Sequence, residues 1–331
     1  MTRLPFRRRP PRRPLGAAGS ACALILLAAL AACGPGGQQQ ASTATRPGPS
    51  AAPSSPSPAG TASRPKPSAA PRYQLPAGSL AHKIKVGGVK GSYRTYRPAS
   101  LPAGAPLVVM LPPSTGSASQ MERDYHWDAE ADSGHFVVAY AGWLDYAAAN
   151  ATVKKFPTDA DFISAIVAAI ERHNPIDPSR VYAAGISRGG IEAYGLACST
   201  AIFAAIGADS ATELGTCQHP APISVIHIHG TADRTIPYRA PPGSFPPSNI
   251  PQLNATWRRI DHCGAPVVST AGVVTTSIAA CPAGRTVELV TIAGAGHQWP
   301  GGVPRAGMGD PPSTALNATQ VIWEFFAKHH R

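Results

Sequence analysis

The sequence predicts an α/β domain in which a mainly parallel sheet is flanked by helices on both faces. Three observations carry that expectation. Apolar runs of strand length alternate with stretches whose apolar residues recur at helical spacing. One run, Val181-Tyr182-Ala183-Ala184, leads into Gly185-Ile186-Ser187-Arg188-Gly189-Gly190 and then into a helical pattern. Two later runs each end in a glycine-containing loop that presents a chemically competent side chain, Asp233 in one and His297 in the other.

The elements follow in order. Residues 92–97 read as an early strand and 107–111 as a buried one. Residues 118–133 are expected to be helical, with a strand over 136–140 behind them. Across 159–172, Phe162, Ile163, Ile166, Val167 and Ile170 recur at helical spacing after an acidic start, so a helix is expected there. Asn174-Pro175-Ile176-Asp177-Pro178 ends it, and the strand before Gly185 and the helix after Ser187 come next. Residues 203–207, 225–229 and 287–292 supply further strands, and the last helix is expected over about 313–329.

The chemistry is read from the loops. A serine between a strand and a helix, in Gly-x-Ser-x-Gly, sits on a turn too sharp for bulky neighbours. Its hydroxyl is left at a helix N-terminus, where backbone N–H groups can meet a developing negative charge. Such a serine needs an acid and then a histidine, in that chain order. Asp233 follows the apolar strand Ser224-Val225-Ile226-His227-Ile228-His229, and His297 follows Thr286-Val287-Glu288-Leu289-Val290-Thr291-Ile292. The expected roles are nucleophilic attack on a carbonyl by Ser187, proton transfer by His297, and orientation of His297 by Asp233.

The segments Arg180 to Gly190, His229-Gly230-Thr231-Ala232-Asp233 and Gly296-His297-Gln298-Trp299-Pro300-Gly301 resemble the secreted polyhydroxybutyrate depolymerase and feruloyl esterase group of α/β-hydrolases. The ending Ala318-Thr319-Gln320-Val321-Ile322-Trp323-Glu324-Phe325-Phe326 is similar to that group's last helix. The resemblance runs from about Tyr93 to the C-terminus. It implies an α/β-hydrolase fold and hydrolysis of an ester, often an aryl or short hydroxyacid ester attached to a polymer. No cofactor and no metal are expected.

Two positions depart from the group. Where it usually carries Leu-His-Gly after its first long core strand, this chain has Leu111-Pro112-Pro113-Ser114. That loop normally supplies one oxyanion N–H, and proline has none to give. The backbone N–H of Arg188 is expected as one donor and that of Ser114 as the other. Losing one such donor can cost about 10²–10³ in rate, so activity as well as specificity is at stake. The residue after the serine is usually small in the group, and here it is Arg188. Its guanidinium could favour an acidic substrate. The preferred reading sends it out of the cleft to a surface carboxylate, because the residue opens a helix.

Residues 1–32 read as a lipoprotein signal peptide. Arg3, Arg7, Arg8, Arg9, Arg12 and Arg13 precede an Ala- and Leu-rich run that ends Leu30-Ala31-Ala32-Cys33. The ending resembles a bacterial lipobox and implies lipid attachment at Cys33, with plain secretion or an uncleaved membrane anchor as the alternatives; Arg12-Arg13 hints at twin-arginine export. Residues 33–72 are rich in Pro, Ser and Ala and read as a disordered tether, leaving 73–331 as the catalytic domain. The net charge of +11 is concentrated at the front. Ten of the 29 basic residues precede Tyr73 and none of the 18 acidic ones does, so the domain carries 19 against 18. That balance gives no basic face for nucleic acid. The expected partners are an ester substrate, possibly polymer-linked, and a membrane reached through the lipid; a monomer is expected, outside the cytoplasm.

Cys198, Cys217, Cys263 and Cys281 suit an exported domain with two disulfides, for which three pairings exist. The local pairs 198–217 and 263–281 are preferred, and the resemblance supports the second. Trp299, Trp143 and Tyr238 are candidates to line the substrate cleft, with packing as the competing role for Trp299. His227 and His229 read as satisfied strand residues. Two other functions compete: a prolyl-oligopeptidase-like serine peptidase, and a catalytically weak ligand-binding lipoprotein motivated by Pro112-Pro113.

Overall fold

The computed structural model describes residues 75–145, 158–215, 217, 220–304 and 309–331. The expected signal peptide, the lipidation site Cys33 and the whole of the expected tether lie outside these residues. Ten strands form one sheet in the order β1-β2-β4-β3-β5-β6-β7-β10-β9-β8. They are β1 (Gly78–Val86), β2 (Val89–Arg97), β3 (Ala105–Leu111), β4 (Val137–Leu144), β5 (Ile176–Ile186), β6 (Ala205–Asp209), β7 (Ser224–Gly230), β8 (Val267–Ala271), β9 (Val274–Ala280) and β10 (Thr286–Ile292). From β4 across to β10 every neighbouring pair is parallel. Antiparallel strands close both sides, β1 and β2 at one and β9 and β8 at the other.

The helices are α1 (Ala118–Asp124), α2 (Trp127–Gly134), α3 (Asp159–His173), α4 (Arg188–Ser199), α5 (Ile250–Ile260) and α6 (Ala318–Phe326). Alternate residues of each central strand feed opposite faces. Leu107, Val109 and Leu111 of β3 pack with Phe162, Ile163 and Ile166 of α3, Tyr194 of α4 and Trp257 of α5. Val108 and Met110 pack with Met121 of α1, Trp127 of α2 and Ile322, Trp323 and Phe326 of α6. Helices therefore cover both faces, as expected. β3 is buried at every position, which is why it reads as an unbroken apolar run.

Two expectations are corrected. The single helix over 118–133 is two helices, because His126 takes a left-handed conformation (φ 59°) and turns the chain between them. The last helix starts at Ala318, where the Asn317 side chain accepts from the Gln320 amide, and ends at Phe326. The hairpin of β8 and β9 was not foreseen. β8 is exposed along its whole length, so no alternation marks it.

Candidate active site

β5 lies between β3 and β6, while β4 lies on the other side of β3. The chain thus reverses its direction of sheet growth at β3 and β5, and a crevice opens beyond their C-terminal ends at such a point. Ser187 sits there, between β5 and α4, with φ 57° and ψ −122°. This is a strained backbone for a residue with a side chain. The Ser187 amide donates to Asp209 O at 3.0 Å, and the Ile191 amide donates to Ser187 O at 3.0 Å. Gly189 lets α4 approach the end of β3, since a Cβ there would lie 2.2 Å from Leu111 O.

Asp233 and His297 come together because their strands, β7 and β10, are parallel neighbours. The loops beyond them are laced together. Thr231 N donates to Ile292 O at 3.0 Å, Ala232 N to Ala295 O at 2.9 Å, and Gly294 N to Thr231 Oγ1 at 2.9 Å. Asp233 is fully buried in its side chain. Its Oδ1 accepts from the Thr235 and Ile236 amides, both at 2.8 Å, and its Oδ2 lies 2.8 Å from His297 Nδ1. A carboxylate in this position fixes the proton of His297 on Nδ1 and leaves Nε2 free to act as a base.

Ser187 and His297 line one cavity of about 310 Å³, with Ser114, Thr115, Trp299 and Asp310 among its other walls. Tyr125, Ile186 and Val303 make much of the remainder apolar. Among the described residues no hydrogen bond joins Ser187 to His297; such contacts often tighten only when substrate is bound. The two proposed oxyanion donors belong to segments that meet here, Arg188 at the start of α4 and Ser114 in a turn closed by Gly116 N donating to Pro113 O at 2.8 Å.

The other candidates distribute differently. Trp299 is 3 % exposed, stacks on Tyr125 with ring centroids 5.0 Å apart, and donates from Nε1 to Thr319 Oγ1 at 3.0 Å. It therefore packs the histidine loop and offers the cavity only part of its surface. Trp143 and Tyr238 are outside the cavity lining. Trp143 Nε1 donates to Gly116 O at 2.9 Å and so holds the Ser114 turn. The Tyr238 hydroxyl pairs with Thr291 Oγ1 at 3.1 Å. Arg188 leaves the cleft, reaching Asp159 Oδ2 at 3.4 Å and lying 4.0 Å above the Trp143 ring. The cysteines pair as 198–217 and 263–281. Among the described residues, Cys198, Glu213 and Cys217 form the one group at metal-ligand spacing, and the disulfide occupies both sulfurs.

Two features were missed from sequence. Asp310 Oδ2 accepts from the His297 amide at 2.7 Å and clamps the histidine loop. It lies 13 residues from His297 with no motif around it; the signal that could have found it is the carboxylate in Gly309-Asp310-Pro311, the next acid after the histidine. The second feature is a buried pair of imidazoles. His227 Nε2 and His229 Nδ1 are 2.9 Å apart, and burial lowers His229 to about 4 and His227 well below the usual imidazole range. Both are neutral at physiological pH.

No known family profile matches the chain. NocK from Nocardia uniformis subsp. tsuyamanensis, a protein assigned as an esterase, is 30% identical over 319 residues, covering 86% of this chain and 90% of that one. Feruloyl esterase B from Piromyces equi is 29% identical over 213 residues, which is 58% of this chain and 39% of that protein. An acetyl xylan esterase from Aspergillus awamori superposes with a TM-score of 0.53 at 16% identity, over 75% of this chain and 99% of that one. A dienelactone hydrolase-like promiscuous phosphotriesterase from metagenomic libraries gives 0.52 at 16% identity, over 77% and 100%. The two structures share the fold. The esterase match along nearly the whole of NocK, on an α/β-hydrolase sheet, identifies this chain as a carboxylic ester hydrolase of the feruloyl esterase and polyhydroxybutyrate depolymerase-like α/β-hydrolase group.

Proposed function

We propose that the protein hydrolyses carboxylic esters through a Ser187–His297–Asp233 triad and an acyl-enzyme, as a lipid-anchored monomer outside the cytoplasm. One observation carries the triad: strained Ser187 shares a cavity with His297, whose Nδ1 is held by a buried carboxylate. Ser187 Oγ attacks the carbonyl carbon while its proton passes to His297 Nε2. The oxyanion is met by the amides of Arg188 and Ser114. The tetrahedral adduct collapses, His297 returns the proton to the departing alcohol, and Ser187 keeps the acyl group. Water, deprotonated by His297, then repeats the sequence and frees the acid. A small, largely apolar cavity suits a short hydroxyalkanoyl or a feruloyl-type acyl group, as in a polyhydroxybutyrate oligomer or an aryl ester.

Two disulfides favour an oxidising compartment. No helix among the described residues is long and apolar enough to cross a membrane. Anchoring is assigned to lipid on Cys33 from the ending Leu30-Ala31-Ala32-Cys33, and Cys33→Ser is expected to abolish palmitate labelling and release the protein from the membrane fraction. Full retention in that variant would remove the anchor from the reading.

The deciding experiment is turnover of p-nitrophenyl butyrate by residues 73–331, with intact mass after fluorophosphonate treatment. Ser187→Ala, His297→Ala and Asp233→Asn should each lower kcat by about 10³-fold or more while the thermal transition stays in place. The single adduct should vanish in Ser187→Ala. A second reading rests on Pro112-Pro113, which removes the group's usual donor. A folded protein with neither turnover nor adduct, binding ester ligands equally well with Ala at 187, would make it a ligand-binding member instead.

A further inference from the structure

Beneath the triad runs a chain of polar side chains that the acyl-transfer steps do not use. Tyr194, His227 and His229 are 1 %, 1 % and 0 % exposed. The Tyr194 hydroxyl lies 2.8 Å from His227 Nδ1, His227 Nε2 lies 2.9 Å from His229 Nδ1, and His229 Nε2 lies 2.9 Å from Ile236 O. The last contact sets every proton in the chain. A carbonyl only accepts, so His229 Nε2 carries hydrogen and its Nδ1 is an acceptor. His227 Nε2 must then donate, its Nδ1 accepts, and the Tyr194 hydroxyl donates to it. Each buried group is satisfied in one arrangement, with both rings neutral.

The ends of the chain are informative. Tyr194 belongs to α4, the helix that starts directly after Ser187. Ile236 belongs to the turn whose amide holds Asp233 Oδ1 at 2.8 Å. His229 Nε2 also faces Asp233 Oδ2 at 3.5 Å, the oxygen that holds His297. We infer that Tyr194, His227 and His229 are positioning residues, a proton-ordered chain that fixes the nucleophile's helix against the turn of Asp233 and keeps that carboxylate on His297. The inference rests on the triad proposed above. It needs a side chain with both a donor and an acceptor at each histidine position, because only such a group passes the order along.

The charged and titratable groups around the chain are few. Tyr194 faces His227, with Glu213 acting on it from beyond; His229 meets Tyr238, Asp233 and His297; Asp209 acts on Asp233 from β6. Protonation of His229 at acid pH would set a cation against Asp233 and compete with His297 for Oδ2.

The test uses kcat per fluorophosphonate-labelled serine, so that unfolded molecules do not count. In His229→Phe, kcat should fall about 10²-fold with KM within about threefold of the parent, and the acid limb of the pH–rate profile should move. His229→Gln keeps a donor at the Nε2 position and should recover most of the loss. Tyr194→Phe removes one oxygen, spares the fold, and should lose about tenfold in kcat. The downfield proton resonance of His297 Nδ1, identified by its absence in Asp233→Asn, should shift in both Phe variants. Parental kcat per labelled serine with an unmoved resonance in Tyr194→Phe and His229→Phe would overturn the inference. If the parent protein is folded but takes no label, the triad reading fails separately, and the resonance alone decides whether the chain holds Asp233.

Discussion

Arg188 keeps its charge out of the cleft, paired with Asp159 and laid over Trp143. The pair is about 45% and 42% exposed, so it contributes little to stability. Arg188→Ala retains the backbone N–H and should leave turnover of neutral esters within about fivefold, with no change in preference for anionic ones. A large gain or loss for anionic esters would return the guanidinium to the substrate. His229 gives a pH signature of stability. In the unfolded chain an imidazole takes up a proton below about 6.5, whereas the folded side chain stays neutral down to about 4. The unfolded state binds more protons in that window, so stability present above about 6.5 is lost as pH falls toward 4. His229→Gln removes this component, and its Tm should drop less than the parent's between about pH 7.5 and about pH 5. At this scale the residues of the proposed triad stood out because each closes a local motif. Asp310 and the pairing of Tyr194 with His227 were not, since they depend on segments 13 and 33 residues apart meeting in space.

The central strands were legible as elements and the outer ones were not. β3, β6 and β7 are buried at every position, and β3 shows as a continuous apolar run while β6 and β7 are rich in Ala, Val and Ile. β1 and β8 are mostly exposed, and exposure erases the pattern that sequence reading relies on. The hairpin of β8 and β9 lies between Cys263 and Cys281, whose bond spans 18 residues. That bond joins the end of α5 to the end of β9, on the far side of β10 from Asp233. Replacing both cysteines by serine should cost about 3 kcal/mol of stability, read as a lower Tm, while kcat of the folded protein is unchanged. Loss of kcat at a temperature where the variant is fully folded would show that the hairpin reaches the site. The break at His126 was invisible for another reason: a left-handed histidine has no sequence mark comparable to glycine or proline.

Across the molecule, the proposed site follows from where the sheet changes its direction of growth. Ser187 and the Ser114 turn stand at the ends of the two strands that flank the reversal, and Asp233 and His297 stand two and three strands away at the same end. The alternation of strands and helices predicted a sheet covered on both faces, but strand order is a matter of long-range pairing that no local pattern records. The 73–331 portion, at 19 basic against 18 acidic residues, has little net field to attract a charged ligand. kcat/KM for a neutral ester should therefore change less than about twofold between low and about 0.5 M salt; a steep salt dependence would point to a charged patch near the mouth of the cavity.

The loop that departs from the family also gains something. Pro112 and Pro113 have φ fixed by their rings, Gly116 closes back on Pro113, and Trp143 grips Gly116 from β4. The segment has little conformational entropy left to lose if the oxyanion of the proposed mechanism forms beside it. A proline pair that withholds one N–H thus leaves the next amide in an already ordered backbone. Pro113→Gly should show this in an Eyring plot, with a more negative activation entropy and little change in activation enthalpy.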